Sequence, residues 1–363
     1  MQPRPPLIAM AWRPENGMTP HDYKGYEAAM ILYVLALGSP NYAISPDAWQ
    51  ARIGNYQWAE FYGQEFINYA PLFIHQYSHI WIDFRGIHDA YTRDTGVDYF
   101  ENSRRATYAQ RAYAAANPKR FRGYGENMWG LTASIGPADA EGSVDGREIQ
   151  FHTYWARGAS SGDIRDDGTI APTAAGGSLP FAPEIVVPAL KEMQARHGER
   201  LFQRYGFIDA FNETFPASGL KGRDGVVHPE AWFTNNYLGI DQGPIVLMAA
   251  NHRSGLVWQV MKKNPHIVRG LCRAGFTSGH LMTPDRRDER EGIRASPGET
   301  RPAQTPRAGT WGASSGGSIL AALPSAHRAT RSNAAGAIRN KVMVFTSRGN
   351  KSQNSAVARC RAQ

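Results

Sequence analysis

Tyr26-Glu-Ala-Ala-Met-Ile-Leu-Tyr-Val-Leu-Ala-Leu37 is apolar almost all the way round a helical period and stops at Gly38-Ser39-Pro40. A helix that is apolar on every side is buried on most of them, and Gly followed by Pro marks its end. The apolar run 28–37 is too short to cross a bilayer, which takes ~18 such residues or more, so it reads as a core helix and not a membrane span. Working outward, Ser45-Pro46-Asp47 sets a capping hydroxyl, a first-turn proline and a first-turn acid ahead of a predicted helix over 48–62. Asp98 caps a predicted helix over 99–116 that closes before Pro118. Pro183-Glu184 opens a helix running through Met193 to Gly198, and Gly243-Pro244 opens another that reaches Lys263, with a kink at Ser254-Gly255. Long connections rich in Gly, Asp and aromatics separate these helices, at 120–134, 138–177 and 207–242. Connections of that length inside a compact domain usually carry function. Strand-like alternation is sparse and best at Gln150–Trp155, and no fixed-period repeat is present. The expected class is mainly helical, with loops of active-site type at one end of the helices.

The whole chain has 363 residues and a net charge of +8, which on its face suggests a polyanion binder. The charge is local. Residues 281–363 hold 14 Lys/Arg against 5 Asp/Glu, which leaves 26 against 27 in residues 1–280. Only Trp311 and Phe345 among the aromatics lie beyond residue 280. The expected organisation is therefore an aromatic-rich, neutral body over 1–280 and a disordered, low-complexity basic tail over 281–363 that cannot bury enough apolar surface to fold. A neutral body does not track phosphates, so no nucleic-acid partner is expected. Cys272 and Cys360 form neither a disulfide framework nor a metal cluster. The N-terminus lacks the charged-then-apolar build of a signal peptide.

The densest polar cluster is His75-Gln-Tyr-Ser-His-Ile-Trp-Ile-Asp-Phe-Arg85. His75 and His79 would share a face of a helix, but Gln76 stands where a zinc protease needs its glutamate. Imidazoles lining a polar pocket and satisfied core histidines both stay open. Asp83 and Arg85, set among aromatics, suit a clamp on sugar hydroxyls. Glu101, in Asp98-Tyr-Phe-Glu-Asn-Ser-Arg-Arg105, is either a dipole-stabilised carboxylate or a catalytic acid. Asp166-Asp-Gly-Thr169 is either a carboxylate-bearing cleft loop or a capped turn, and Asp241 either a helix cap or a substrate carboxylate. Phosphate loop, dinucleotide fingerprint and serine-hydrolase elbow are all absent from the sequence. Helices, Trp and Tyr rings and loop carboxylates are the inventory of glycoside hydrolysis.

Seven motifs in order, Gly25-Tyr26 with Met30-Ile-Leu-Tyr-Val-Leu-Ala-Leu-Gly-Ser-Pro40, His75-Gln-Tyr-Ser-His79, Trp81-Ile-Asp-Phe-Arg85, Tyr99-Phe-Glu-Asn-Ser-Arg-Arg-Ala-Thr107, Trp129-Gly-Leu-Thr-Ala-Ser134, Pro180-Phe-Ala-Pro-Glu184 and Gly239-Ile-Asp-Gln-Gly-Pro244, resemble the glycoamylase-like domain of bacterial endo-β-1,2-glucanases and cyclic β-1,2-glucan synthases. The resemblance spans roughly residues 8–276. It implies an all-α fold, an (α/α)6 toroid-type barrel with its cleft at one end. The family's first helical hairpins lie upstream of Trp12-Arg-Pro-Glu15, so this chain is expected to lack the opening part of the toroid.

The resemblance also implies hydrolysis of β-1,2-glucan by carboxylate acid/base chemistry without metal or cofactor, on an oligo- or polysaccharide substrate, in the periplasm. Glu27 is then the acid, and Asp209 or Asp241 the base. His75, Gln76, His79, Asp83, Arg85, Glu101, Arg104, Trp129, Trp155, Asp166 and Gln242 are the implied substrate-binding residues. Three positions depart from the family pattern. Ala28 stands at the family's glutamate, with Glu27 one place early, and Ile135 and Ala250 stand where the family has an aspartate and a glutamate. These departures keep a second reading open, a catalytically inactive fragment that at most binds glucan.

Overall fold

The computed structural model describes residues 6–281. Its helices are α1 (Met30–Gly38), α2 (Asp47–Ile53), α3 (Tyr77–Trp81), α4 (Ala90–Thr95), α5 (Tyr99–Ala116), α6 (Pro172–Gly176), α7 (Pro183–His197), α8 (Gly239–Ser254), α9 (Leu256–Met261) and α10 (Pro265–Arg273). Between them, among the described residues, lie eight small antiparallel sheets, seven of two strands and one of three. The class is therefore mixed helix and strand, and this corrects the all-α expectation. The expected tail lies outside the described residues from residue 282 onward.

The correction has local causes. The helix expected over 48–62 stops at Gly54, and Trp58–Phe61 pairs with Gln64–Ile67 as a hairpin. The long connection 138–177 holds the hairpin Ala140–Val144 with Arg147–Phe151, closed by Asp145-Gly146, both at positive φ. That pair of conformations defines the two-residue turn that matches strand twist. The strand expected over 150–155 is divided between Arg147–Phe151 and Tyr154–Ala156. Gly255 takes a left-handed conformation and separates α8 from α9, so the expected kink is a break. Helix α5 keeps its predicted bounds. Asp98 accepts from the Glu101 amide at 2.8 Å, and Asn117 ends the helix in a left-handed conformation.

Of four buried apolar clusters among the described residues, two are large. One gathers Met30, Tyr33, Val34 and Leu37 of α1, Trp49 of α2, Tyr99 of α5 and Leu271 of α10. The other gathers the inner faces of α5, α6 and α7 with Trp129, Phe207, Phe211 and Phe233. Helices α1 and α10 cross backbone to backbone. A Cβ on Gly270 would stand 1.9 Å from the Val34 carbonyl oxygen, and one on Gly38 would stand 1.9 Å from that of His266. Reciprocal glycines are thus what lets the two helices touch. Asp89 ties this core together: it caps α4 through Thr92 and accepts from Trp49 Nε1 at 2.8 Å and from the Tyr99 hydroxyl at 2.7 Å.

Candidate active site

The first turn of α8 carries Asp241, and the connection before the strand Phe211–Asn212 carries Asp209. Both side chains are buried, Asp209 Oδ1 and Asp241 Oδ2 are without a hydrogen-bond partner, and each carboxyl acts on the ionisation of the other. Two ionised carboxylates offer only acceptors, so a proton on one of them relieves the pair. Asp209 Oδ2 accepts from the Ile135 amide at 2.7 Å, which favours a charge on that residue. Asp241 is pushed up to about 8, first by burial and then by the Asp209 carboxylate, against a hydrogen bond from Tyr77. The first turn of a helix opposes such a rise, but burial and a like charge outweigh it. Burial raises Asp209 as well, but Asp241 carries the added penalty of a like charge, so within the pair Asp209 ionises first and Asp241 keeps its proton at neutral pH.

Two tyrosines flank the pair. Tyr77, at the start of α3, also lines a groove of about 490 Å³ together with Ala28, Ile31, Leu32, Trp81 and Ile240. Tyr154 is 57% exposed, and its phenol feels both carboxylates. Its strand pairs with Ala133–Ile135, the strand whose Ile135 amide binds Asp209. Ion pairing holds that ladder in place. Arg157, fully buried, donates Nε to Asp167 Oδ1 at 2.7 Å and Nη2 to Oδ2 at 2.8 Å, and reaches the Ser134 carbonyl at 3.0 Å.

Glu27 is elsewhere. It precedes α1 in a bend and not in a helix, so the helical rotation separating it from position 28 does not apply. Its carboxyl is buried, with Oε1 unpartnered, and burial pushes it up to about 8 against the weaker pull of Arg52. Ala28, not Glu27, lines the groove.

Several expected sugar-binding residues are core residues. His75 and His79 do not share a helix face: His75 ends a 3-10 turn and His79 lies within α3. His75 contacts the Tyr69 carbonyl and packs on Tyr26, while His79 pairs with Ser103 at 3.0 Å among Phe84 and Phe181. Burial holds their pKa values down to about 4 and about 3, so both are neutral. Gln76 spends its amide on the Ala174 carbonyl and the Ser178 hydroxyl. Trp129 is fully buried and offers no face to a ligand. Asp83 is consumed by a bidentate Arg85 and by Lys262 at 2.6 Å. Arg85 also lies 4.5 Å over the Trp258 ring.

Glu101 pairs with Arg105 one helical turn on, Arg104 with Glu184, and Gln242 with the Phe207 carbonyl. Asp166 and Asp167 each accept from the amide two residues on, at Gly168 and Thr169, so the turn reading describes both. Asp166 also takes the hydroxyls of Tyr113 and Tyr124. Trp155 and Asp166 line a different groove from the carboxyl pair. Of the fourteen expected site residues, Asp209 and Asp241 are the two brought together beside the first groove. Tyr77 and Tyr154 escaped the sequence reading, although each stands next to a residue that it singled out.

The profile of the Glycoamylase family, described as "putative glucoamylase", matches residues 20–265. An exo β-1,2-glucooligosaccharide sophorohydrolase (non-reducing end) of Parabacteroides distasonis is 28% identical over 292 residues, covering 73% of this chain and 36% of that protein. The crystal structure of a "putative glucoamylase" of Bacteroides uniformis matches with a TM-score of 0.62 and 35% identity, over 76% of this chain and 60% of that one. An endo-β-1,2-glucanase of Chitinophaga pinensis, solved with sophorotriose and glucose, matches with a TM-score of 0.61 and 30% identity over the same shares. The chain thus spans about a third of the curated relative and 60% of each of these two solved chains.

Proposed function

The chain belongs to the glycoamylase family, and from that premise we propose that it is a glycoside hydrolase acting on β-1,2-linked glucan by carboxyl acid/base chemistry, with the helices forming an arc of an (α/α)6 toroid. The observation that carries the proposal is the pair of buried carboxyls Asp209 and Asp241, each with an unpartnered oxygen, set beside a groove that Tyr77 and the first turn of α8 line. The substrate class rests on the named activities of the Parabacteroides and Chitinophaga proteins. Site of action in the periplasm, residues 1–280 as the working domain, and the binding roles of the more exposed residues Arg104 and Gln242 belong to the same reading.

Chemistry limits what the pair can do. An acid and a base on opposite sides of a glycosidic bond stand roughly 5–9.5 Å apart, and two neighbouring carboxyls that oppose each other's ionisation serve one side of it. The pair therefore supplies one half of the reaction. Ionised Asp209 takes a proton from the attacking water, while Asp241 holds the neighbouring proton and keeps a single negative charge in the site. Glu27, protonated at neutral pH, serves as the acid of the other half once its carboxyl turns out of the protein toward the groove that Ala28 lines.

Ala28 in the groove, with Glu27 turned into the protein, favours a second reading in which glucan is bound and not cut. Reducing-sugar release from linear β-1,2-glucan, with β-1,3-glucan and starch as comparison substrates, separates them. Release from the first alone supports hydrolysis. No release, from protein that melts cooperatively and binds glucan, supports the second reading.

A further inference from the structure

Consecutive residues of a strand point to opposite faces. Tyr154 faces the carboxyl pair, and Trp155 instead lines a separate groove of about 610 Å³ with Lys119, Arg120, Arg147, Gln150 and His152. This second groove is built, not incidental. Arg147 donates Nη1 to the Lys119 carbonyl and Nη2 to the Arg120 carbonyl at 3.0 Å. Asn117 clasps Phe121 through both its amide groups at 2.8 Å, and Lys119 Nζ reaches the Asp166 carbonyl at 3.2 Å. Within this strapped loop Arg120 is held at a φ of 53°, a conformation that costs a non-glycine residue free energy and that collects at functional positions. Its exposed guanidinium pairs with no carboxylate of the described residues.

The charges facing the groove do not balance. Lys119, Arg120 and Arg147 are permanent cations, and each keeps N–H donors beyond those used on carbonyls. Against them stand exposed Glu148 and Asp166, whose carboxyl oxygens are already taken by Tyr113, Tyr124 and the Gly168 amide. Trp155 and His152, with ring centroids 4.0 Å apart, form a wall beside the cations.

We propose that this groove binds an oxyanion, a phosphoryl or carboxylate group, with Arg120 and Arg147 as donors and the Trp155–His152 wall flanking whatever bears the charge. A neutral glucan offers such a cluster hydroxyl acceptors but no opposite charge, so the ligand is distinct from the substrate of the carboxyl pair or is an acidic substituent on it. The fork of an arginine matches the geometry of these anions.

Isothermal titration of the full chain with inorganic phosphate, glucose 6-phosphate and glucose tests the site without reference to hydrolysis. Saturable binding of the first two and none of glucose is expected, weaker at about 200 mM salt than at about 20 mM. Arg120→Asn keeps the left-handed backbone accessible and is expected to weaken binding about tenfold. Glu148→Gln, which removes the facing negative charge, is expected to tighten it. Tighter binding of glucose 6-phosphate than of phosphate assigns the oxyanion to a sugar, and equal binding assigns it to a free anion. Absence of saturable binding, or equal affinity in wild type and Arg120→Asn, overturns the proposal.

Discussion

Glu27 and Ala28 are neighbours in the chain with opposite surroundings: the carboxyl is buried with an unpartnered oxygen, and the methyl lines the groove beside Tyr77. Moving the carboxyl by one position moves it from protein to groove. Ala28→Glu is therefore expected to raise glucan hydrolysis above wild type, and an unchanged rate would show that the groove is not where the bond is cut. Asp241→Asn removes the ionisable carboxyl beside Asp209 and keeps its size. It is expected to lower hydrolysis by roughly 100-fold or more, the usual worth of a positioned acid or base, with little change in melting temperature. The family resemblance made Asp209 and Asp241 alternative candidates for the base. The sequence could not show that residues 32 positions apart lie side by side and oppose each other's ionisation, since that depends on the tertiary placement of α8. Tyr77 was hidden for a related reason. It sits between two histidines whose chemistry drew attention, while burial had already committed both imidazoles to the core.

Among the elements, helices with chemical punctuation were legible and hairpins were not. Asp98 and Pro118 bracket α5, and both signals act within one turn of the chain. The hairpin at 140–151 alternates buried and exposed residues on both strands around Asp145-Gly146, a readable turn overlooked because the surrounding glycines resemble loop. The shortness of α2 depends on the partner strand at Gln64–Ile67, which no local signal announces. Element junctions are where single changes should cost most. Asp89→Ala removes the cap of α4, orphans the buried Trp49 Nε1 and leaves the Tyr99 hydroxyl with Tyr56 alone, an expected loss of about 2–4 kcal/mol, measurable by urea denaturation. Gly270→Ala forces apart α1 and α10 and is expected to cost about 2–3 kcal/mol, lowering Tm by roughly 5–10 °C. An unchanged Tm would mean that the helices do not touch as described.

Across the whole molecule, protonation couples the site to stability. Glu27 and Asp241 are pushed up to about 8 and Asp166 to about 6 by burial, whereas in the unfolded chain they titrate near ~4. Between those values the folded chain keeps protons that the unfolded chain has released, so stability falls as pH rises. His75 and His79, held down to about 4 and about 3, act oppositely and add stability as pH rises toward ~6.5. The tendencies oppose one another below ~6.5, and above it only the carboxyls act. Calorimetry should give a nearly level Tm from about pH 5 to about 6.5 and a falling one from about 7 to about 8.5, and Glu27→Gln should flatten that fall. A Tm that climbs through pH ~8 would contradict the protonated carboxyls.

The glycine-mediated crossing of α1 and α10 also bears on how the chain is made. At ~5–20 residues per second, Gly270 leaves the ribosome roughly 12–50 s after Val34. For that interval the most apolar of the described helices has been synthesised and its partner has not, so the face that meets Gly270 stays open to other contacts until the last described helix arrives to cover it.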